Sequence, residues 1–122
     1  MKKRVIDVSV EITRGFDNEE KVLPKDVRDT ITQSLNSLVE EIETHGWSHK
    51  IYRTKNLVFP ESIPRRLSTL YLCKTGKKYG VVLSVEDDPI FKQKVVTLYR
   101  VAKREDLPEA FSNIADLLSK TM

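Results

Sequence analysis

Two basic residues stand directly after a stretch that alternates in the manner of a half-buried strand. Residues 95–102 form that stretch, and Lys103 and Arg104 follow at once. A charged group at the end of a rigid strand can be aimed at a phosphate, whereas the same group on a flexible tail cannot. The pair therefore predicts a phosphate-directed site. The alternative is that Arg104 pairs with Glu105 or Glu109 on the surface.

Cleavage of RNA by its own 2′-hydroxyl is the chemistry that a family resemblance, described below on its own motifs, implies for these side chains. That reaction needs a cation at the non-bridging phosphate oxygens, together with a base and an acid. The planar guanidinium of Arg104 binds two phosphate oxygens and keeps its charge. Lys103 or Lys74 is the candidate base or acid, provided that burial and neighbouring cations lower its pKa.

The excess positive charge lies in one part of the chain. The formal net charge is +3, but residues 24–46 carry a net −3 and residues 47–81 a net +7. Such asymmetry favours a polyanionic partner, either nucleic acid or an acidic protein segment, over a merely solvated loop. The candidate RNA contacts within this stretch are Lys50, Arg53, Lys55, Lys77 and Lys78.

Length and composition predict one soluble globule. The 122 residues, 39% of them hydrophobic, suit a single domain over residues 1–122. No apolar run approaches the roughly 18 residues that span a bilayer, and no signal-peptide pattern follows the basic N-terminus. We therefore expect a cytoplasmic protein with no membrane partner. Cys73 is the one cysteine, so no internal disulfide forms, and packing in a strand is favoured over a catalytic thiol.

The sequence predicts neither a metal nor a cofactor. His45 and His49 are four residues apart, but Gly46 ends the helix between them and no third ligand is near. The acidic residues 86–88 are typical of a solvated turn. No glycine-rich phosphate loop is present, because TGKK lacks the spacing of a P-loop.

The first half of the chain predicts a strand and a long helix. Residues 5–12 alternate with a period of two, and the polar residues 15–21 predict a loop. Pro24 and nearby acidic residues favour a helix start, and Gly46 favours its end. The stripe that would face the core of this helix, residues 24–46, is Val27, Ile31, Leu35, Leu38 and Ile42.

The second half predicts a basic loop, three strands and a short helix. Prolines 60 and 64 forbid a long element in residues 47–68, with room for a short strand around residues 51–52. Short turns between the following strands imply antiparallel pairing. The predicted strands cover residues 69–74, 79–85 and 95–101, and the helix covers residues 107–120, with Leu107, Phe111, Ile114 and Leu118 (or Leu117) buried.

These elements predict an α+β fold. Its antiparallel four-stranded sheet is packed by the long N-terminal helix, in the order β-α-β-β-β-α, since a sheet needs a partner layer for its apolar side. The opposite face of the sheet would stay partly open to water. We expect that open, concave face to be lined by Lys74, Lys103, Arg104 and Arg53.

Three segments resemble the RelE/ParE superfamily of small bacterial toxins. RRLSTLYLCKTGKKYGVVLSVEDD is similar to the family's first hairpin, with its Gly- and Lys-rich turn. VVTLYRVAKREDLPEAF is similar to the last strand and the polar segment after it. LPKDVRDTITQSL resembles the leading helix, and together the segments cover most of the chain.

The resemblance implies roles for particular residues. Arg104 matches the catalytic arginine of the ribonuclease branch, and Lys74 lies near a strand position where the family often has another arginine. Tyr79 matches the aromatic of GYR-type segments, but Gly80 stands where an arginine usually follows. Phe111 stands where many members have a tyrosine, so it could stack on a base but has no hydroxyl to pass a proton.

The function implied is that of a RelE-type toxin, a ribosome-dependent endoribonuclease that cleaves messenger RNA without a metal. Its partners would be mRNA on the ribosome and a cognate antitoxin that covers the basic face. The two departures at Gly80 and Phe111 keep two alternatives open. One is a ParE-like toxin that inhibits DNA gyrase by protein contact, and the other is a non-catalytic interaction module of the same fold.

Overall fold

The computed structural model describes residues 6–53 and 69–120, and these form one sheet with helices on both of its faces. Each element begins and ends close to a change in the apolar pattern. In chain order the elements are strand β1 (Asp7–Ile12), helix α1 (Arg14–Glu20), helix α2 (Lys25–His45), strand β2 (Ile51–Tyr52), strand β3 (Leu70–Thr75), strand β4 (Tyr79–Asp88), strand β5 (Gln93–Lys103), a 3₁₀ turn (Arg104–Asp106) and helix α3 (Leu107–Lys120).

The sheet has five strands in the order β1-β5-β4-β3-β2. Neighbouring strands are antiparallel, except that β1 lies parallel to β5. The prediction of an α+β fold is confirmed, but the prediction of four antiparallel strands is wrong. Short turns reveal only the pairing of strands that are consecutive in sequence, and the β1–β5 pair joins opposite ends of the chain. The short strand around residues 51–52 is β2 and supplies one edge.

A helix occupies the segment that was predicted to be a loop. Helix α1 begins after Thr13, whose side-chain oxygen accepts a hydrogen bond from the Phe16 backbone N–H at 3.3 Å. Phe16 is only 2% exposed, and it anchors an otherwise polar helix in the core. A single buried side chain in seven residues is too short a pattern to show helical periodicity.

Helix α2 agrees with its prediction. It runs from Lys25 to His45, with Pro24 at its start, and it ends at Gly46, whose φ of +81° places it in the left-handed region. The Gly46 N–H donates to the Ile42 carbonyl at 2.8 Å and closes the last turn. Its core-facing stripe packs on one face of the sheet.

The second face of the sheet is covered by α3, which corrects the expectation of an open, cation-lined face. The apolar side of α3 packs on β3 and β4, because even-numbered residues of these strands point toward it. The buried residues of this second layer are Leu70, Leu72, Val82, Leu107, Ala110, Phe111, Ile114 and Ala115.

The edge of β5 is shared by β1 and α1. Opposite β4, Tyr99 is an extra residue of β5, so the strand bulges there. Beyond the bulge, Glu19 of α1 accepts hydrogen bonds from the Val101 N–H at 3.3 Å and from the Arg100 Nε at 2.8 Å. Helix α1 thus takes over from β1 as the neighbour of β5.

Of the helices in the described residues, none combines the length and apolar character that crossing a bilayer requires.

Candidate nucleic-acid interface

Five basic residues gather where the β3–β4 turn meets the end of β5. The register places Lys74 opposite Gly80, and Tyr79 opposite Lys103. The turn between the strands adds two exposed lysines. We call this set the cationic end, and it consists of Lys74, Lys77, Lys78, Lys103 and Arg104. Within the described residues, no ion pair joins any of the five to a carboxylate.

Arg104 lies on a rigid support, as the sequence predicted. Its backbone N–H donates to the Lys78 carbonyl at 2.8 Å and extends the sheet ladder by one bond. Its guanidinium Nη2 donates to the Gly76 carbonyl, so the side chain folds back over the β3–β4 turn. Arg104 therefore pairs with a backbone carbonyl rather than with Glu105 or Glu109.

Hydrogen bonding uses only part of the Arg104 guanidinium, although the buried Nε is not accessible to a ligand. A guanidinium has five N–H donors in a fixed plane, and the bond to Gly76 uses one of them. Nε is buried and has no hydrogen-bond partner within the part of the chain that the structure describes. The bond to the turn positions the group without exhausting it, which is the property that an anion contact requires.

Lys74 and Arg104 meet at Tyr52, a residue that the sequence analysis did not include in the site. The Lys74 ammonium lies 5.3 Å from the centre of the Tyr52 ring. Burial raises the pKa of the half-buried Tyr52 hydroxyl above its ordinary value of 10.0, and the charge of Arg104 opposes that rise. The hydroxyl thus stays protonated at neutral pH beside two cations. Its position in the basic stretch was the one signal in the sequence.

Lys103 lies apart from that pair. Alternate residues of a strand point to the same face of the sheet, so Lys74 lies on the face of Leu70 and Leu72, which pack against α3. Lys103 stands opposite Tyr79, which packs on the α2 side, and lines a groove with acidic side chains of α1 and α3. The structure therefore brings together two of the three predicted catalytic residues.

Gly80, the position where the resembled family usually has an arginine, is a glycine for a packing reason. A Cβ at this position would overlap the Leu107 side chain of α3 and would lie 3.0 Å from the Cys73 carbonyl oxygen. Real Cβ contacts are rarely so short, so no side chain fits here without movement of α3. The close approach of α3 to β4 excludes a cation at this position.

Two of the predicted RNA contacts already have partners. Lys50 forms an ion pair with Glu41 of α2. The Arg53 Nε donates to the Leu70 carbonyl at 2.8 Å, and its guanidinium lies 4.2 Å from the centre of the Tyr71 ring. Both residues therefore support the packing of β2 and its surroundings.

The other predicted RNA contacts have different outcomes. Lys77 and Lys78 are exposed in the turn, as an RNA contact requires. Tyr79 is half-buried against the first core layer. Phe111 is fully buried on the side of α3 that packs against the sheet. Its ring faces the sheet rather than solvent, so the expectation that it stacks on a base is wrong. Lys55 lies outside the described residues.

An acidic region lies on the same sheet face as α3, toward the other end of β4 and β5. This groove is lined by Glu11, Glu86, Asp87 and Asp88, together with Val95, Thr97 and Tyr99. Where α3 leaves the sheet uncovered, the exposed surface is thus acidic rather than cationic.

Cysteine and metal chemistry find no support in the described residues. Burial raises the pKa of the Cys73 thiol to about 11, which keeps it protonated and unreactive at neutral pH. No three His, Cys, Asp or Glu side chains among the described residues are grouped so as to hold a metal ion.

The chain matches no protein-family model and no curated protein sequence. Among solved structures it is similar to the toxin–antitoxin complex RelBE2 from Mycobacterium tuberculosis, with 16% sequence identity and a TM-score of 0.43, over 84% of this chain and 98% of that chain. We base the function proposed below on the residues of this chain.

Proposed function

We propose that the chain is a toxin of the RelE kind, a ribosome-dependent endoribonuclease whose cationic end contacts messenger RNA. The observation that supports this most is that Lys74, Lys77, Lys78 and Arg104 lie at one end of the sheet without carboxylate partners among the described residues, with Lys103 on the other face of the same end. Phosphate contacts position a nucleic acid and give most of its affinity, so a cluster of this kind suits that substrate.

In this proposal the described residues divide the reaction between them. The 2′-hydroxyl attacks the adjacent phosphorus and gives its proton to solvent water, and the bond from phosphorus to the 5′-oxygen breaks. Arg104 stabilises the negative charge that develops on the non-bridging oxygens. Lys74, whose ammonium lies over the Tyr52 ring, contacts the phosphate as a second cation. The protonated hydroxyl of Tyr52 is the nearest candidate to protonate the leaving 5′-oxygen. Lys103, on the other side of the sheet, contacts the RNA backbone away from the scissile bond.

The proposal is tested by growth arrest and by mapping of RNA ends after induction. We expect the wild type to arrest growth and to cut mRNA within translated regions. Lys74→Ala and Arg104→Lys should reduce both effects at least tenfold, because the lysine keeps the charge but not the planar fork. Lys21→Ala and Arg14→Lys are matched controls at exposed positions of α1 and the loop after it, and both should leave the effects unchanged.

Two results would contradict the proposal. One is full toxicity in the Lys74→Ala, Arg104→Lys double variant. The other is growth arrest by the wild type with intact mRNA.

A cognate antitoxin is part of the same proposal. Such a partner would cover the cationic end and would offer acidic side chains to it. Coexpression of an antitoxin encoded by a short reading frame next to this gene should restore growth, and that antitoxin should copurify with the chain. Lys77→Glu with Lys78→Glu should weaken that complex, and Lys21→Glu should not.

A second candidate is inhibition of DNA gyrase by protein contact, as in ParE-like toxins. The observation that favours it is the tip between β4 and β5, where Ile90 is 83% and Phe91 is 74% exposed. Large apolar side chains held in solvent are typical of protein contacts. A supercoiling assay separates the two functions, because inhibition that is lost in Ile90→Ser with Phe91→Ser requires the tip rather than the cationic end.

If the wild type neither cleaves mRNA nor inhibits supercoiling, we infer the third function, that of a non-catalytic interaction module of the same fold. A pull-down with the wild type, the Lys77→Glu, Lys78→Glu variant and the Ile90→Ser, Phe91→Ser variant then identifies which end binds.

A further inference from the structure

Strand β1 forms an edge of the sheet, and no strand of the described residues pairs with its outer side. A free edge offers a row of unpaired backbone N–H and C=O groups, which another strand can join. Proteins usually protect such edges with charges, prolines or a covering loop. The backbone and side chains of β1 indicate which kind of strand this edge would pair with.

The orientation of the β1 backbone follows from one hydrogen bond. The Thr13 N–H donates to the Leu98 carbonyl at 3.1 Å, so the backbone groups of Thr13 face β5. In an extended strand, alternate residues face the same edge, and Glu11 therefore faces β5 as well. The N–H and C=O groups that face outward belong to Val8, Val10 and Ile12.

The same residues carry apolar side chains that the chain itself does not fully cover. Val10 is 44% and Ile12 is 60% exposed. Both line a groove that continues onto α2 and is walled by Leu35 and Val39. The unpaired backbone and the exposed apolar surface thus coincide on one short segment.

We propose that two copies of the chain pair through β1, antiparallel, with Val10 opposite Val10 of the second copy. In this register Val8 lies opposite Ile12, so every outward-facing amide finds a partner and the apolar side chains meet one another. Ser9 then lies opposite Glu11, and Asp7 opposite Thr13.

Charge selects this register over its neighbours. A shift that centres the pair on Glu11 places two Glu11 carboxylates directly opposite each other, and a shift that centres it on Ser9 places Asp7 opposite Glu11. Like charges directly opposite in a ladder are destabilising. A shift by a single residue would turn the apolar side chains to the wrong face.

The acidic residues near the two-fold axis also predict a salt dependence. Glu11 of each copy lies diagonally across from the other, about 7–8 Å away. Salt screens repulsion over such distances, so the dimer should become tighter as ionic strength rises. An interface that depended on opposite charges would respond in the other direction.

The test is a cysteine variant at the proposed axis. Directly opposed residues that exchange hydrogen bonds have Cα atoms about 5.5 Å apart, within the range of a disulfide. Val10→Cys should therefore give a covalent dimer on mild oxidation. Ser9→Cys, whose symmetry mates are offset by two residues, and Val22→Cys, at a 76% exposed position outside β1, should form no covalent dimer under the same conditions. Cys73 is buried in all three variants.

Sedimentation of the reduced protein provides the independent measurement. The wild type should sediment as a dimer and Ile12→Glu as a monomer, while Leu117→Glu, at an exposed position of α3, stays dimeric. Far-UV circular dichroism confirms that both variants are folded. A monomeric wild type at every concentration tested, or equal cross-linking of all three cysteine variants, would overturn the proposal.

Discussion

The two ends of the β4–β5 hairpin are built in different ways. At the cationic end, Arg104 donates to the carbonyl of Gly76 and Leu107 fills the space above Gly80, so residues far apart in sequence hold the surface. At the opposite tip, the Asp88 carboxylate accepts from the N–H groups of Ile90 and Phe91 at 3.1 and 3.3 Å. The cationic end therefore depends on the fold, whereas the tip depends on its own sequence.

The sharpest way to separate the two ends is to truncate one phenylalanine in each. Phe111→Ala removes a fully buried ring from the layer between the sheet and α3, the helix that follows the cationic end, and should lower the free energy of unfolding by about 3–5 kcal/mol. Phe91→Ala removes a ring that is already 74% exposed and should change stability by less than about 0.5 kcal/mol. Urea unfolding measures both, and equal losses would mean that the tip is packed in solution.

Substitution of Gly80, which lies directly against Leu107, should have the next largest effect on stability. Gly80→Ala places a Cβ against Leu107 and the Cys73 carbonyl, and overpacking of this kind costs about 1–3 kcal/mol. Gly15→Ala is the matched control, because its Cβ would meet only ordinary contacts in α1 and alanine favours a helix by up to about 1 kcal/mol. Thermal unfolding should therefore show opposite shifts, and a neutral Gly80→Ala would remove the packing explanation for the missing cation.

The tip should be disturbed without effect on the cationic end. Asp88→Ala removes the acceptor for two backbone N–H groups and should cost about 0.5–1.5 kcal/mol. Amide exchange should speed up at Ile90 and Phe91 and remain unchanged at Arg104, whose N–H is bonded to Lys78. Faster exchange at both places would show that the ends are coupled.

The smallest effect concerns Lys50, a basic residue that belongs to neither end. Hydrogen bonds from Lys50 and Ser48 lower the pKa of Glu41 below 4.5. Because the folded-state pKa is depressed, this contribution is present above the unfolded value and is lost as pH falls through the folded one. Glu41→Gln should flatten the acid side of the stability profile by less than about 1 kcal/mol, since the pair is partly exposed.

Glu105→Gln removes the same charge from an exposed position and is the control. Its free energy of unfolding should decrease with falling pH as steeply as that of the wild type. An identical flattening in both variants would trace the effect to net charge rather than to the pair with Lys50.

Local patterns in the sequence were sufficient for much of the fold. The stripe of α2, its end at Gly46 and the bounds of α3 could be predicted because each depends on periodicity or on a single terminating residue. The parallel pairing of β1 with β5 could not, because no turn connects them. Helix α1 depends on one buried residue, Phe16, which a pattern of apolar spacing cannot reveal.

The positions of the candidate site residues were predictable to a similar degree. Arg104 lies on a rigid support because it follows directly after β5, and this was visible in the sequence. The approach of Tyr52 to Lys74 and the pairing of Lys50 with Glu41 depend on how strands and helices pack. For Phe111 the two sequence signals disagreed: the apolar spacing of the last helix predicted the burial that the structure shows, whereas the motif position implied contact with RNA.

The parallel pairing of β1 with β5 also determines when the chain can fold. During synthesis β5 leaves the ribosome after the other four described strands of the sheet, so β1 has no partner until β5 has emerged. Pairing over such sequence separations slows folding. For a protein whose proposed activity is directed at translating ribosomes, this delay separates the making of the chain from the onset of its toxicity.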